Sequence, residues 1–102
     1  MIDSTFEVRT NGYSLTEVSK TDSGHTIRVS VIRDFYDHQS SAAVYVLTPA
    51  LAWTQLVSAP ASDWFADTLT RSPIREASDL RACLEPIAHD LATRAAAILS
   101  GL

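Results

Sequence analysis

The chain has 102 residues, of which 46% are hydrophobic and 20% charged, and it carries a net charge of −4. A chain of this length forms one domain around one modest core, and its acidity argues against nucleic acid, which requires a basic surface. No segment approaches the ~20 apolar residues of a membrane helix. We therefore predict a single domain over 1–102, with a β-sheet half at 1–59 and a helical half at 60–102, that binds neither nucleic acid nor membrane.

Cys83 is the only cysteine, which excludes an internal disulfide and is typical of a reducing compartment. The start of the chain lacks the basic and then apolar segments of a signal peptide. These features predict a cytoplasmic protein.

The first strand is predicted at 5–10, where apolar and polar residues alternate. Asn11 and Gly12 follow, and Asn-Gly is the strongest short signal for a two-residue type I′ hairpin turn, because both residues tolerate positive φ. This turn would pair Val8 with Leu15 in a second strand. The sequence therefore predicts a β-hairpin centred on Asn11 and Gly12.

Three more strands follow a turn that ends in Gly24, and they are predicted at 25–34, 41–48 and 53–59. In the strand at 41–48, Val44 and Val46 share one face, while Tyr45 and Leu47 share the other. One layer of helices covers only one of these apolar faces. We therefore predict a homodimer, formed through the sheet or through the C-terminal helix.

After residue 60 the apolar residues recur with a helical period. A short helix is predicted with Ser62 or Asp63 as N-cap, and its inward side chains are Trp64, Phe65 and Leu69. A long helix follows. Its candidate N-terminal signals are Ser72 with Pro73, and Ser78, and Gly101 marks its end.

The long helix carries an apolar stripe at spacings of three and four residues, formed by Leu80, Leu84, Ile87, Leu91, Ala95 and Ile98. Pro86 removes one backbone bond on the opposite side, where water can reach the freed carbonyl of Ala82, so we predict a kink and not a break. Strands followed by helices indicate an α+β fold. The predicted architecture is an antiparallel meander of four to five strands, then a short helix and a long kinked C-terminal helix packed on one sheet face.

The stretch RDFYDHQSS, at 33–41, holds the densest group of reactive side chains. A catalytic or metal-binding role would use Asp34, Asp37 and His38, as ligands or as a His–Asp general base. One loop supplies too few ligands for a closed site, so we predict no metal and no cofactor. Tyrosine with arginine, aspartate and glutamine is typical of protein interfaces. The predicted interaction loop uses Arg33, Asp34, Tyr36, Asp37 and Gln39.

Other reactive residues fit structural roles. Glu85 and His89 lie on a polar helix face without the full HExxH pattern. Cys83 lacks the neighbouring base that a thiolate nucleophile requires, and Ser40 lacks the Gly-x-Ser-x-Gly context of a nucleophilic serine.

Three large aromatic side chains mark the junction of sheet and helices: Trp53, Trp64 and Phe65. We predict that they pack the core at this corner. The alternative is a pocket between sheet and helices for a small apolar ligand.

The segment 27–56 resembles a group of small uncharacterised proteins of actinobacteria and their phages. In that group an Arg-Asp-x-Tyr-Asp-x-Gln-Ser run joins two strands, and a tryptophan opens the next strand. The match is carried by Arg33, Asp34, Tyr36, Asp37, Gln39, Ser40 and Trp53. The resemblance favours a phage-related origin and implies no activity, cofactor or substrate.

Taken together, these patterns predict a small cytoplasmic protein-interaction module that regulates or inhibits a host or phage protein. Two alternatives stay open. One is a small metal-dependent or acid–base hydrolase that uses the loop at 34–38, and the other is a binder of small apolar ligands.

Overall fold

The computed structural model describes residues 3–9, 12–34, 36, 39–65 and 77–101. Each strand pairs antiparallel with the next along the chain, in the order β1 (Asp3–Arg9), β2 (Gly12–Lys20), β3 (Thr26–Asp34), β4 (Ser41–Leu47) and β5 (Trp53–Ala59). A 3-10 helix at Ala61–Asp63 and the helix α1 at Ala77–Ser100 follow. The predicted α+β fold, a five-stranded meander with a long C-terminal helix on the sheet, is confirmed.

The core lies between α1 and one face of the sheet. The alternation in β3 directs Ile27, Val29 and Val31 toward α1, beside Leu15 of β2 and Val44 of β4, and all five side chains are fully buried. Full burial of a side chain of this size contributes about 1.5–3 kcal/mol. This apolar face therefore holds α1 against the sheet.

The β1–β2 register differs from the one predicted, and Gly12 supplies the reason. Arg9 pairs with Gly12 and Val8 with Tyr13, so the pairing of Val8 with Leu15 is wrong, and Phe6 faces Leu15 instead. Gly12 is extended in β2, opposite Asp34, where a Cβ atom would overlap the carbonyl oxygen of Arg33. Close approach of β2 to β3, and not a positive φ in a turn, accounts for this glycine.

The turn between β2 and β3 follows the prediction. Gly24 adopts a positive φ of 89°, and its N–H donates to the carbonyl of Thr21 at 2.9 Å. The Thr21 N–H donates to the carbonyl of His25 at 2.8 Å. These bonds fix the β2–β3 hairpin.

The apolar stripe of α1 ends one residue later than predicted. Leu84, Ala88, Leu91, Ala95 and Leu99 are its buried members. Leu99 is 4% exposed, whereas the predicted last member, Ile98, is 43% exposed. Leu99 extends the row at i+4 from Ala95, and this i+4 neighbour is the one that faces the sheet.

Pro86 lies inside α1, which continues through it to Ser100. The side chains of Pro86 and Ala82 are both exposed, as the helical wheel predicts, while the predicted kink angle stays a prediction. Ser78 lies within the helix and not before it. Leu69, Ser72 and Pro73 lie outside the described residues.

The predicted short helix after Ser62 or Asp63 lies mostly outside the described residues, so it stays a prediction. A 3-10 helix at Ala61–Asp63 is described there, with Pro60 at its N-cap position and no side-chain cap. Trp64 follows and is buried, as predicted. The Nε1–H group of Trp64 donates to the carbonyl of Ala59 at 3.4 Å, which ties the end of β5 to the core.

Candidate functional site on the uncovered face of the sheet

The loop after β3 is tied together at its neck by one serine. The Ser40 hydroxyl accepts the N–H of Asp34 at 2.9 Å and donates to the carbonyl of Tyr36 at 3.0 Å. The N–H of Gln39 donates to the same carbonyl at 3.1 Å. Tyr36 is 60% exposed, so the loop presents an aromatic side chain to solvent.

Arg33 has a packing role at the base of this loop. It is 8% exposed. Its guanidinium carbon lies 4.0 Å from the ring centroid of Phe65, and its Nη1 donates to the carbonyl of Asp34 at 2.7 Å. A binding role of Arg33 stays a prediction, and its burial leaves little of the side chain for a partner to contact.

The predicted catalytic or metal constellation is not brought together among the described residues. Asp37 and His38 lie outside them, and so does Phe35. Within the described ranges, no group of three or more His, Cys, Asp or Glu side chains could hold a metal ion. The hydrolase hypothesis therefore gains no support from the described part of the loop.

The polar face of α1 behaves as a solvated surface. His89 is exposed, and Glu85 forms an ion pair with Arg81 at 3.4 Å. Arg81 also donates from Nη2 to the Ser4 hydroxyl at 2.6 Å, which links α1 to β1. Cys83 is half-buried and free of any disulfide.

The two tryptophans lie on opposite faces of the sheet. Trp64 belongs to the core beneath α1, whereas Trp53 is 37% exposed on the other face. Trp53 and Trp64 therefore do not line one common pocket, and the prediction of core packing is wrong for Trp53. A bulge between Gln55 and Val57 interrupts the period of two along β5, so Trp53 and Ala59 point to opposite faces. Trp64 lies beyond β5 and packs in the core.

A small cleft does lie beside Trp64. It has a volume of about 210 Å³ and is lined by Ile87 and Leu91 of α1, with the Asp90–Arg94 ion pair at its edge. Pockets for small organic ligands usually measure about 300–1,000 Å³. This cleft is below that range, so it gives the ligand-binder hypothesis little support.

A stack of one cation and two aromatic rings stands on the sheet face that α1 does not cover. The guanidinium carbon of Arg28 lies 4.9 Å from the ring centroid of Tyr45 and 4.7 Å from that of Trp53. Arg28 pairs with Tyr45 across β3 and β4, so both side chains project from the same face. Each such cation–π contact contributes about 0.5–1 kcal/mol at an exposed site.

The row of residues next to this stack is small. Register across the five strands places in one line Thr5, Thr16, Ser30, Ala43 and Ser58. Their side chains are shorter than those of Arg28 and Tyr45 in the next row, and Ala43 among them is 7% exposed. Arg28 and Tyr45 are therefore the largest described side chains of these two rows.

The loop of the β4–β5 hairpin carries an exposed leucine two residues before Trp53. The N–H of Leu51 donates to the carbonyl of Thr48 at 2.8 Å, and the N–H of Thr48 donates to the carbonyl of Ala52 at 2.9 Å. Leu51 has a φ of 62° and is 80% exposed. In three-residue hairpin loops this left-handed position usually holds glycine, and any other residue there costs about 1–2 kcal/mol. Leu51 contributes little burial in return.

The prediction of an interaction loop missed Arg28 and Leu51. Arg28 alternates with Ile27 and Val29, which marks its face as the outward one, but only the register with Tyr45 shows that it meets an aromatic ring. A leucine at the glycine position of a short hairpin becomes visible only once its backbone angles are known.

Comparison with protein-family models, with curated proteins and with solved structures finds no match to this chain. No helix among the described ranges is long and apolar enough to cross a membrane. The residues of the uncovered face are therefore the basis for any functional proposal.

Proposed function

We propose that this chain is a protein-interaction module and that a partner docks on the uncovered face of the sheet. The observation that carries the proposal is the half-exposed stack of Arg28 with Tyr45 and Trp53. Tryptophan, tyrosine and arginine are the residue types that contribute most binding energy at protein interfaces. Here all three meet at one place on a sheet face.

The shape of this surface favours a protein partner over a small molecule. Small-molecule sites are concave and bury most of their ligand. The sheet face opposite α1 carries a row of small side chains next to the stack. The exposed side chain of Trp53 beside such a row suits an interface of standard size, which covers about 800 Å² on each partner.

The loop after β3 is a second contact in this proposal. Asp34 lies six residues from Arg28 along β3, which is roughly 20 Å at 3.3 Å per residue. An interface of standard size spans that distance. Tyr36 and Gln39 would then contact the same partner beyond the end of β3, and Asp37 stays a predicted contact.

The predicted homodimer would form more readily through the sheet than through α1. Eleven described side chains of α1 are exposed, and seven of these are polar: Asp79, Glu85, His89, Asp90, Thr93, Arg94 and Ser100. An interface core is depleted of charged residues. A second copy would therefore dock on the face of Tyr45 and Leu47 and compete with any other partner. A cytoplasmic location and a regulatory or inhibitory role in a phage-related setting complete the proposal.

Affinity capture with single variants tests the docking surface. The bait is the full chain, in an extract of the cells that encode it, and the variants are Trp53→Ala and Tyr36→Ala. Thr93→Ala on the exposed side of α1 is the matched control. We expect capture of a defined protein by the wild type and the control, at least tenfold weaker capture by Trp53→Ala, and a smaller loss with Tyr36→Ala.

Folding must be unchanged for the comparison to hold, and circular dichroism of each variant checks this. Equal capture by wild type and Trp53→Ala would refute the sheet face as the docking surface. Loss of capture with Tyr36→Ala alone would move the interface to the loop. Native mass spectrometry of the bait separates a second copy from a different partner by mass.

A further inference from the structure

We infer that the partner presents an acidic segment to this surface, with a carboxylate that binds Arg28 and an apolar side chain that packs on Leu51 and Trp53. The inference rests on the proposed docking face and adds the chemistry of its occupant. Three observations carry it: the free donors of Arg28, the local charge, and the exposed leucine two residues before Trp53.

Arg28 is held in place while its hydrogen-bond donors stay unused. The guanidinium carbon lies within 4.9 Å of both ring centroids, and the side chain is half-buried. Among the described residues, the Arg28 side chain forms no hydrogen bond and no ion pair besides these ring contacts. A guanidinium has five N–H donors in a rigid fork that matches a carboxylate in two parallel bonds. A fixed guanidinium loses less conformational freedom on binding than a mobile one.

A second cation lies on the same face as Arg28, although the chain has a net charge of −4. It is Lys20, which pairs with Thr26 at the same end of the sheet. Asp3 is the acidic residue of the Arg28 row, and it lies two strands away, at roughly 10 Å. The turn after Lys20 carries another acid, Asp22. The edge strand β5, on the other side, contains no charged residue, so an acidic group approaching over β5 meets Arg28 before either acid.

The number of cations favours a carboxylate over a nucleic acid. Binding to a polyanionic backbone depends on many lysine and arginine contacts along its length. Within the described strands, Arg28 and Lys20 are the cations at this end of the face, in an acidic chain. The single guanidinium of Arg28 beside an apolar surface can bind one carboxylate that has an apolar side chain next to it.

Leu51 and Trp53 supply that apolar surface. Leu51 is 80% exposed in a backbone conformation that ordinarily selects glycine. It stands two residues before Trp53, at the tip of the hairpin that carries Trp53 into the stack. In this inference the apolar side chain of the partner packs on Leu51 and makes use of its strained, exposed position.

A display library of short random peptides, panned on the immobilised full chain, tests the inference. We expect enriched peptides that carry an aspartate or glutamate next to a large apolar residue. The best peptide is then synthesised and its affinity measured by fluorescence anisotropy. Arg28→Gln should weaken it about 10- to 100-fold, the range for losing a charged hydrogen-bond pair. Leu51→Gly should weaken it severalfold, and Thr93→Ala should leave it unchanged.

A double-mutant cycle then shows whether the two charges meet. Replacing the acidic residue of the peptide by its amide should weaken binding to the wild type by the same factor as Arg28→Gln weakens binding of the original peptide. The same replacement should weaken binding to the Arg28→Gln variant little further. Peptides that lack an acid, or that bind Arg28→Gln as tightly as wild type, would overturn this inference. The docking face itself would survive that result if Trp53→Ala abolished their binding. A library with no peptide that depends on Trp53 would overturn both.

Discussion

Gly12→Ala should destabilise the protein strongly, because the new methyl group meets the main chain of the neighbouring strand. The overlap is with the carbonyl oxygen of Arg33, and the Asp34 Cα atom lies 2.9 Å from the new Cβ position. Main-chain atoms cannot turn aside as a flexible side chain can. The ends of β2 and β3 must therefore separate at the base of the loop that holds Tyr36.

The expected cost combines three effects. Overpacking of this kind costs about 1–3 kcal/mol, and each ladder hydrogen bond lost costs about 1 kcal/mol. Alanine restricts the unfolded chain and returns about 0.4–1 kcal/mol. The net loss is about 2 kcal/mol in the free energy of unfolding. In a domain of this size that loss lowers Tm by about 8–16 °C.

Urea denaturation followed by circular dichroism measures this loss, and Gly24 gives the matched control. Nothing lies within 4 Å of a Cβ atom at Gly24, whose φ is 89°. Gly24→Ala should therefore lose only about 1 kcal/mol, from backbone strain, and Gly24→Asn less, since asparagine tolerates positive φ. Gly12→Asn should be as harmful as Gly12→Ala. A Gly12→Asn variant as stable as wild type would refute the close-approach argument and restore the turn at Asn11 and Gly12.

Three further substitutions test the helix and the loop. Leu99→Ala truncates a buried side chain and should lower the free energy of unfolding by about 2–4 kcal/mol, whereas Ile98→Ala should lower it by less than about 1 kcal/mol. Urea denaturation measures both values. Equal losses would restore Ile98 to the buried stripe. Pro86→Ala should raise the free energy of unfolding by about 1–2 kcal/mol, because proline is about 3 kcal/mol worse than alanine inside a helix, and a lower Tm would contradict this. Ser40→Ala should lower the free energy of unfolding by about 1–2 kcal/mol, because two hydrogen bonds are lost. Ser41→Ala is the control and should be near neutral. Equal melting temperatures for the two variants would show that Ser40 does not hold the loop neck.

The fold could be predicted from sequence because its strongest signals are local. The alternation of Ile27, Val29 and Val31 marks a strand with one buried face, and the stripe from Leu84 to Ala95 marks the helix that covers it. The pairing register of the strands could not be predicted from such local signals. Gly12 is explained by a contact with β3 that lies far from it in sequence, so the local Asn-Gly signal pointed to the wrong residue pair.

The candidate site was predicted only in part, for the same reason. Tyr36 was singled out and is exposed. The stack of Arg28, Tyr45 and Trp53 joins three strands, and no short stretch of sequence contains it. The sequence predicts core packing for Trp53, because the spacing along β5 does not reveal the bulge that turns Trp53 to the face opposite Ala59.

The central claim is that a partner covers the sheet face opposite α1, and site-specific photo-crosslinking tests it most directly. A photoreactive residue would replace Gln55, which is exposed and pairs with Tyr45, or Thr93 on the outer side of α1 as control. We predict that irradiation of cells that encode the protein joins position 55 to one defined protein or to a second copy, and that position 93 gives no such product. Crosslinking to the same protein from position 93, with none from position 55, would contradict the account.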